Sequence, residues 1–305
     1  MMKQKTLLIA LALMGAVTAS AQKHDGGLSN DMLAAIRKAQ PTAAQDKALF
    51  NAIAANSIDD LAKNYAAKRP VDTHFSNETP KQKIHNQRSS GRCWMFSGFN
   101  VLRANFAKQH QDSLCVEYSQ AYLFFYDQLE KANLMLQGVI DNARKPIDDQ
   151  RVRFFFQHPI NDGGTFCGVA DLAEKYGLVP MAVMPETYSS DNTSRMARII
   201  SSKLREYGLE LRSMVAAGKK AQDIRKRKTG TIYHILALTI GEPVQEFTYA
   251  FTDKNGRTLT PAKRYTPKSF YDETVGHSLN GSFIMVMNAP RREYHKTYEV
   301  EYDRH

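Results

Sequence analysis

The chain has 305 residues, 43% of them apolar, with 41 Lys and Arg against 31 Asp and Glu for a net charge of +10. That supports one large core or two ordinary ones. Three cysteines, Cys93, Cys115 and Cys167, exclude a disulfide scaffold and leave one thiol over, and no pair has the C-x-x-C spacing of a zinc or redox site.

Met1 to Ala21 has the layout of a secretory signal. Lys3 and Lys5 open it, Leu7 to Ala16 is a short apolar run, and Ala19-Ser20-Ala21 is a small-x-small cleavage pattern, with cleavage expected after Ala21. The run is too short to span a bilayer as a helix, and no other stretch is long and apolar enough. A secreted or periplasmic chain with no membrane span is the expectation. Removing the signal takes two lysines and leaves about +8. Such a balance permits contact with nucleic acid or an anionic surface. The basic residues are dispersed, however, apart from Lys219-Lys220 and Arg225-Lys226-Arg227-Lys228. The second run lies between helix-like segments and lacks interleaved aromatics, so it reads as a solvated helix end.

From Leu28 to Lys68 the chain has helical periodicity, with Ser29-Asn30-Asp31 and Ser57-Ile58-Asp59-Asp60 as caps. Arg69-Pro70-Val71 breaks it, and Thr73 to Arg88 is polar and extended. The segment Gln87-Arg88-Ser89-Ser90-Gly91-Arg92-Cys93-Trp94-Met95-Phe96-Ser97 follows. It sets a cysteine after a glycine-containing turn, at the start of an apolar run that predicts a buried helix to about His110. A thiol at a helix N-terminus feels the positive end of the dipole, which favours thiolate. The backbone N–H groups there have no intrahelical partner and can bind an oxyanion. The amide of Gln87, folded back over the turn, is a second donor.

Ser119 to Met135 predicts a further helix and Asp148 to Gln157 part of a third. Asn161-Asp162-Gly163-Gly164 is a turn signal. Val169 to Tyr176 is helical with Gly177 as C-cap, and Val179 to Glu186 is an irregular loop. Helix formers fill Thr193 to Arg225, and Thr231 to Ile240 is amphipathic. Glu246 to Thr252 then alternates and ends at Asp253-Lys254-Asn255-Gly256, a hairpin turn with Thr258-Leu259-Thr260 as return strand. Ser282 to Met287 and Thr297 to Tyr302 also predict strands. Helices first and strands last give an α+β class.

At Gln87 to Ser97 the chain resembles the papain-like cysteine peptidases, within the bleomycin hydrolase and aminopeptidase C branch. Asn86-Gln87-x-x-Ser90-Gly91-Arg92-Cys93-Trp94-Met95-Phe96 carries that branch's Gly-Arg before the cysteine. Asp162-Gly163-Gly164, Glu174 to Pro180, Met184 to Tyr188, Asn192 to Met196, Phe270 to Glu273, Asn288-Ala289-Pro290 and Lys296 to Tyr302 continue the likeness in order.

The resemblance implies a papain-like α+β fold whose helical lobe is largely complete and whose β lobe is truncated. It divides the chain into an N-terminal helical extension over 22–72, a helical lobe with the nucleophile over 73–200, a helical insertion over 201–245 and the start of a β lobe over 246–305. It implies Cys93 as nucleophile through an acyl-enzyme, Gln87 with the Cys93 N–H as oxyanion hole, and Asp162, Gly163 and Gly164 against the substrate backbone. It implies no cofactor, short peptides as substrates trimmed from the N-terminus, a hexamer, and in some members nucleic-acid binding.

The family's catalytic histidine and asparagine lie in a His-Ala pair and an Asn-Ser-Trp-Gly run, and neither is found. Trp94 is the only tryptophan. The resemblance therefore implies that the base lies beyond residue 305 and that these residues alone have negligible peptidase activity, or form a non-catalytic remnant that binds peptides or assembles with partners. His234 falls about 140 residues after Cys93, inside the papain-type spacing, but within a helical pattern. His277 reads as loop, and His85 as an exposed residue leading into the motif. A Cys115–Cys167 bridge is left open.

Overall fold

The structure is a computed structural model describing residues 26–40, 44–67 and 69–298. Met1 to Ala21, and Thr297 to Tyr302 beyond residue 298, lie outside the described residues. The chain divides after His74 into two compact units.

The first unit holds α1 (Asn30–Ala39), α2 (Ala44–Ala55), α3 (Ile58–Leu61) and a 3₁₀ turn at Tyr65–Ala67. The hydroxyl of Ser29 accepts from the N–H of Met32 and caps α1. Ser57 stands at the N-cap of α3, but its side chain makes no capping bond.

The second unit begins with α4 (Cys93–Gln109), α5 (Gln120–Asp141) and α6 (Gln150–Gln157). Next come α7 (Phe166–Tyr176), α8 (Tyr188–Asp191), α9 (Thr193–Ala216) and α10 (Gln222–Thr239). The chain then forms β1 (Phe247–Tyr249), β2 (Lys263–Tyr265), α11 (Pro267–Thr274) and α12 (Leu279–Ser282). The core is built around α5, which packs against α6, α7, α9 and α10, while α7 also takes α4. On α9 the buried residues Met196, Ile200, Leu204, Tyr207 and Leu211 recur every three or four positions and make one apolar stripe. They meet the buried Leu123, Phe124, Phe125, Leu136 and Val139 region of α5 within one core cluster.

Two arginines of α9 close the ends of its neighbours. Arg205 donates to the carbonyls of Phe156 and Gln157 at the end of α6. Arg212 donates to the carbonyls of Asn142 and Lys145 just past α5, at 3.0 and 2.5 Å. Cations there satisfy carbonyls that have no partner within a helix and complement the negative dipole end.

The strands depart from the sequence pattern. The Asp253–Gly256 turn forms, with the Gly256 N–H donating to the Asp253 carbonyl at 3.0 Å. Its return arm is a single bridge, Thr252 with Thr258, and β1 pairs instead with β2, antiparallel, Phe247 opposite Tyr265. The Phe251 N–H goes to the Thr260 hydroxyl, and Pro261 has no N–H to give. Rings of Phe247, Tyr249, Phe251 and Tyr265 surround the buried Phe270, which fixes the ribbon to α11. The expected strand at Ser282 to Met287 does not form. Ser278 caps a short helix through the Gly281 N–H, and residues 283–287 follow in no sheet among the described residues. The helical break expected between Arg225 and Thr231 lies earlier. α9 stops at Ala216, Gly218 takes a φ of 70°, and α10 runs unbroken from Gln222, so Arg225 to Lys228 sit inside its first turns.

Arg212→Ala should destabilise the unit by about 1–3 kcal/mol, since two carbonyls lose their donor. The urea midpoint should fall at unchanged m-value.

Candidate active site

The turn before α4 is held from three sides. The Asn86 side chain accepts from the Arg88 N–H at 2.8 Å and supports Arg88 at a φ of 55°. The Ser89 N–H donates to the Asp191 carbonyl at 2.9 Å, and the Ser89 carbonyl accepts from the Thr193 N–H. Gln87 folds back as expected: its amide donates to the Ser90 carbonyl at 2.6 Å, and the Ser90 hydroxyl donates to the Gln87 carbonyl at 2.7 Å. A primary amide has two N–H donors, so one remains uncommitted.

Cys93 is the first residue of α4, and its side chain is exposed, with Sγ 4.0 Å from the Gly91 carbonyl. The Arg92 carbonyl accepts from the N–H groups of Met95 and Phe96. No described hydrogen bond uses the N–H of Cys93. A thiol, an unpaired helix-start N–H and an amide donor thus meet on one turn.

The Asp162–Gly164 loop is joined to that turn through its own atoms. Asp162 Oδ2 accepts from the Gly91 N–H and from the Thr193 hydroxyl, each at 2.6 Å, and the Asp162 carbonyl accepts from Trp94 Nε1 at 2.9 Å. The approach requires glycine on both sides. A methyl on Gly91 would lie 2.3 Å from Asp162 Oδ1, and one on Gly164 would lie 2.6 Å from Cε2 of Trp94. Burial pushes the Asp162 carboxyl upward, but the Thr193 hydroxyl, the Gly91 N–H and the nearby Lys131 charge outweigh it, and the pKa is lowered. The carboxylate expected to face substrate is thereby engaged within the chain.

Several residues of this site were given no individual role by the sequence. Arg92 is fully buried, its Nη1 donating to both oxygens of Glu186 at 3.0 and 2.9 Å and its Nε to the Ser90 hydroxyl at 3.1 Å. The guanidinium lies over the rings of Phe96 and Phe124. Lys131, Gln128 and Thr193 also join the loop. The pairing of Arg92 with a carboxylate almost a hundred residues away has no local signature.

The histidines are placed elsewhere. His234 is exposed on α10. His277 is exposed, with Nδ1 2.7 Å from the Val275 carbonyl. His85, expected to be exposed, is half-buried: Nε2 lies 3.0 Å from Glu117, and Nδ1 lies 3.3 Å from Nη1 of the buried Arg103. Burial, with the charges of Arg103 and Lys83, lowers its pKa. Among the described residues no histidine is hydrogen-bonded to Cys93, and no cluster of His, Cys, Asp and Glu could hold a metal. Cys115 and Cys167 are not joined by a disulfide.

Residues 27–305 match the Peptidase C1-like family. The chain belongs to that family. It is 37% identical to an aminopeptidase C of Lactobacillus delbrueckii subsp. lactis over 83% of this chain and 57% of that protein. It is 32% identical to human bleomycin hydrolase over 90% of this chain and 62% of that protein. The crystal structure of PepW from Lactobacillus rhamnosis HN001 superposes with a TM-score of 0.76 at 32% identity, covering 84% of this chain and 57% of that one. The papain-like α+β class expected for the family is thus the fold of this chain. The chain spans less than two thirds of the length of these relatives.

The lowered Asp162 pKa fixes a pH dependence. Asp162 contributes stability that is complete above the ordinary Asp range, about pH 4, and is lost as pH falls through the native value. Wild type should therefore be more stable than Asp162→Asn at neutral pH, with the gap closing below about pH 4. Urea unfolding across that range checks it.

Proposed function

We propose that this chain carries the nucleophile half of a cysteine aminopeptidase site acting on short peptides. Cys93 attacks the scissile carbonyl as thiolate, and the amine leaves as the acyl-enzyme forms. The oxyanion is received by the Cys93 N–H and the free N–H of the Gln87 amide. The loop of Gly163 and Gly164 lies along the extended substrate backbone, and Asp162 holds that loop in place. The observation that supports this best is the conjunction at one turn: an exposed thiol at a helix start, an amide folded over it, and a glycine loop tied to the same turn through Gly91 and Trp94. The relatives named aminopeptidase C support the substrate class.

The chemistry also needs a base to take the thiol proton and pass it to the leaving amine. Removing one member of such a unit costs several orders of magnitude in rate. The 305 residues alone should therefore turn over an aminoacyl substrate negligibly. Export through Met1 to Ala21, with cleavage after Ala21, and a hexameric assembly complete the proposal. No helix among the described residues is long and apolar enough to cross a membrane.

Thiol reactivity tests the nucleophile directly. At pH 8, iodoacetamide should modify Cys93 faster than Cys115 and Cys167, which are both partly shielded. Burial, with Glu117 and Asp112 nearby, also raises the Cys115 pKa. Peptide mapping by mass reads the order. Preferential modification of Cys115 or Cys167 would remove Cys93 as the reactive group.

A further inference from the structure

We propose that Lys131, on α5, is a positioning residue for the peptide-binding loop: its ammonium takes up the Asn161 and Gly163 carbonyls so that Gly164 is left to meet the substrate backbone. The proposal rests on the peptide-site reading above.

The ammonium has three N–H donors. Nζ donates to the Gly163 carbonyl at 2.6 Å, to the Asn161 carbonyl at 3.1 Å and to the Asp127 carboxylate at 2.9 Å. All three donors are matched. The side chain is only 16% exposed, and the Asp127 side chain is fully buried. The same ammonium lies 5.6 Å from the centre of the Trp94 ring, one residue past the nucleophile. Gln128, on the same helix, donates to the Asn161 carbonyl at 2.8 Å.

The consequence falls on the two glycines unequally. The Gly163 N–H donates to Asn161 Oδ1 at 3.0 Å, and its carbonyl is held by Lys131. Gly163 therefore has no free N–H, and its carbonyl already holds a charged donor. No described hydrogen bond uses the N–H or carbonyl of Gly164, and that residue is exposed. A donor and an acceptor on one exposed residue make the pair that an extended chain bonds in antiparallel pairing. Lys131 thus sets which residue reads the substrate backbone, and it does so without touching substrate or Cys93.

The test uses two reagents on the same thiol. A peptidyl chloromethyl ketone depends on the loop: the Cys93 thiolate forms a carbon–sulfur bond, and chloride leaves. Iodoacetamide modifies the same sulfur without needing the loop. Saturation kinetics separate the reagent's apparent binding constant from its limiting rate. Lys131→Met should weaken the binding constant about tenfold, the scale of one charge-assisted hydrogen bond. The iodoacetamide rate at Cys93 should stay unchanged. Lys131→Arg keeps the charge and the donors and should recover most of the loss. Because Lys131→Met leaves Asp127 buried without its cation, Asp127→Asn with Lys131→Met serves as the second variant and should show the same tenfold weakening.

An unchanged binding constant in both Met variants would overturn the proposal. A parallel fall in the iodoacetamide rate would overturn it too, by showing that Lys131 acts on the thiol or on the fold at large. A wild-type chain that shows no saturation with the peptidyl reagent would instead remove the peptide-site reading, and this proposal with it.

Discussion

One carboxylate holds the two sides of the candidate site together. Asp162 Oδ2 accepts from the Gly91 N–H on the turn before the nucleophile and from the Thr193 hydroxyl at the start of α9. The carbonyl of the same residue accepts from the indole of Trp94. Three groups on two separate segments are thus referenced to one residue on a loop. Hydrogen bonds to a charged group contribute about 1.5–3 kcal/mol each, roughly twice a neutral one. A loop bound this way has little freedom relative to Cys93. That rigidity matters because a displacement of about 1 Å in a reacting site can cost a hundredfold in rate.

Beneath the turn, the buried Arg92 supplies a second constraint of a different kind. An ion pair with Glu186 neutralises it, yet burying the guanidinium, whose Nη2 has no hydrogen-bond partner among the described residues, cancels much of the gain, and apolar residues of the same volume often do as well. What the pair contributes in excess is direction. A guanidinium held by both oxygens of Glu186, by the Ser90 hydroxyl and between two aromatic faces has few alternative positions. Its neighbour in sequence is the cysteine. Removing Glu186 would leave the fully buried Arg92 charge uncompensated, at about 3–5 kcal/mol.

The helical part of this chain was legible because its signals are local. Ser29 and Ser119 cap, Gly177 stops, and the apolar stripe of α9 repeats within a few residues. Cys93, Gln87 and the glycine loop were legible for the same reason, since each carries its chemistry in a short segment. The strands were not, because a strand is defined by its partner. Residues 283–287 form an apolar run that reads as a strand but lie in no sheet among the described residues, while Phe247 passes over the near arm to pair with Tyr265. Arg92 with Glu186, Lys131 with Gly163 and His85 with Glu117 are likewise long-range or cross-element pairs. Nothing in the local pattern selects one carboxylate or carbonyl among many.

His234 shows how a spacing can mislead. Its distance along the chain from Cys93 fits a papain-type base, but spacing becomes geometry only through the elements between. On α10 the buried positions are Ile232 and Leu236. Residues two apart on a helix are separated by about 200° around its axis. His234 is two residues from each, so the core face turns it outward, and it is exposed. Bringing its imidazole inward would bury a polar ring and bring out Ile232 and Leu236. Each of those side chains contributes about 1.5–3 kcal/mol by its burial. The apolar period of the helix therefore sets His234 on the exposed face of α10, and the spacing along the chain does not by itself bring it to Cys93.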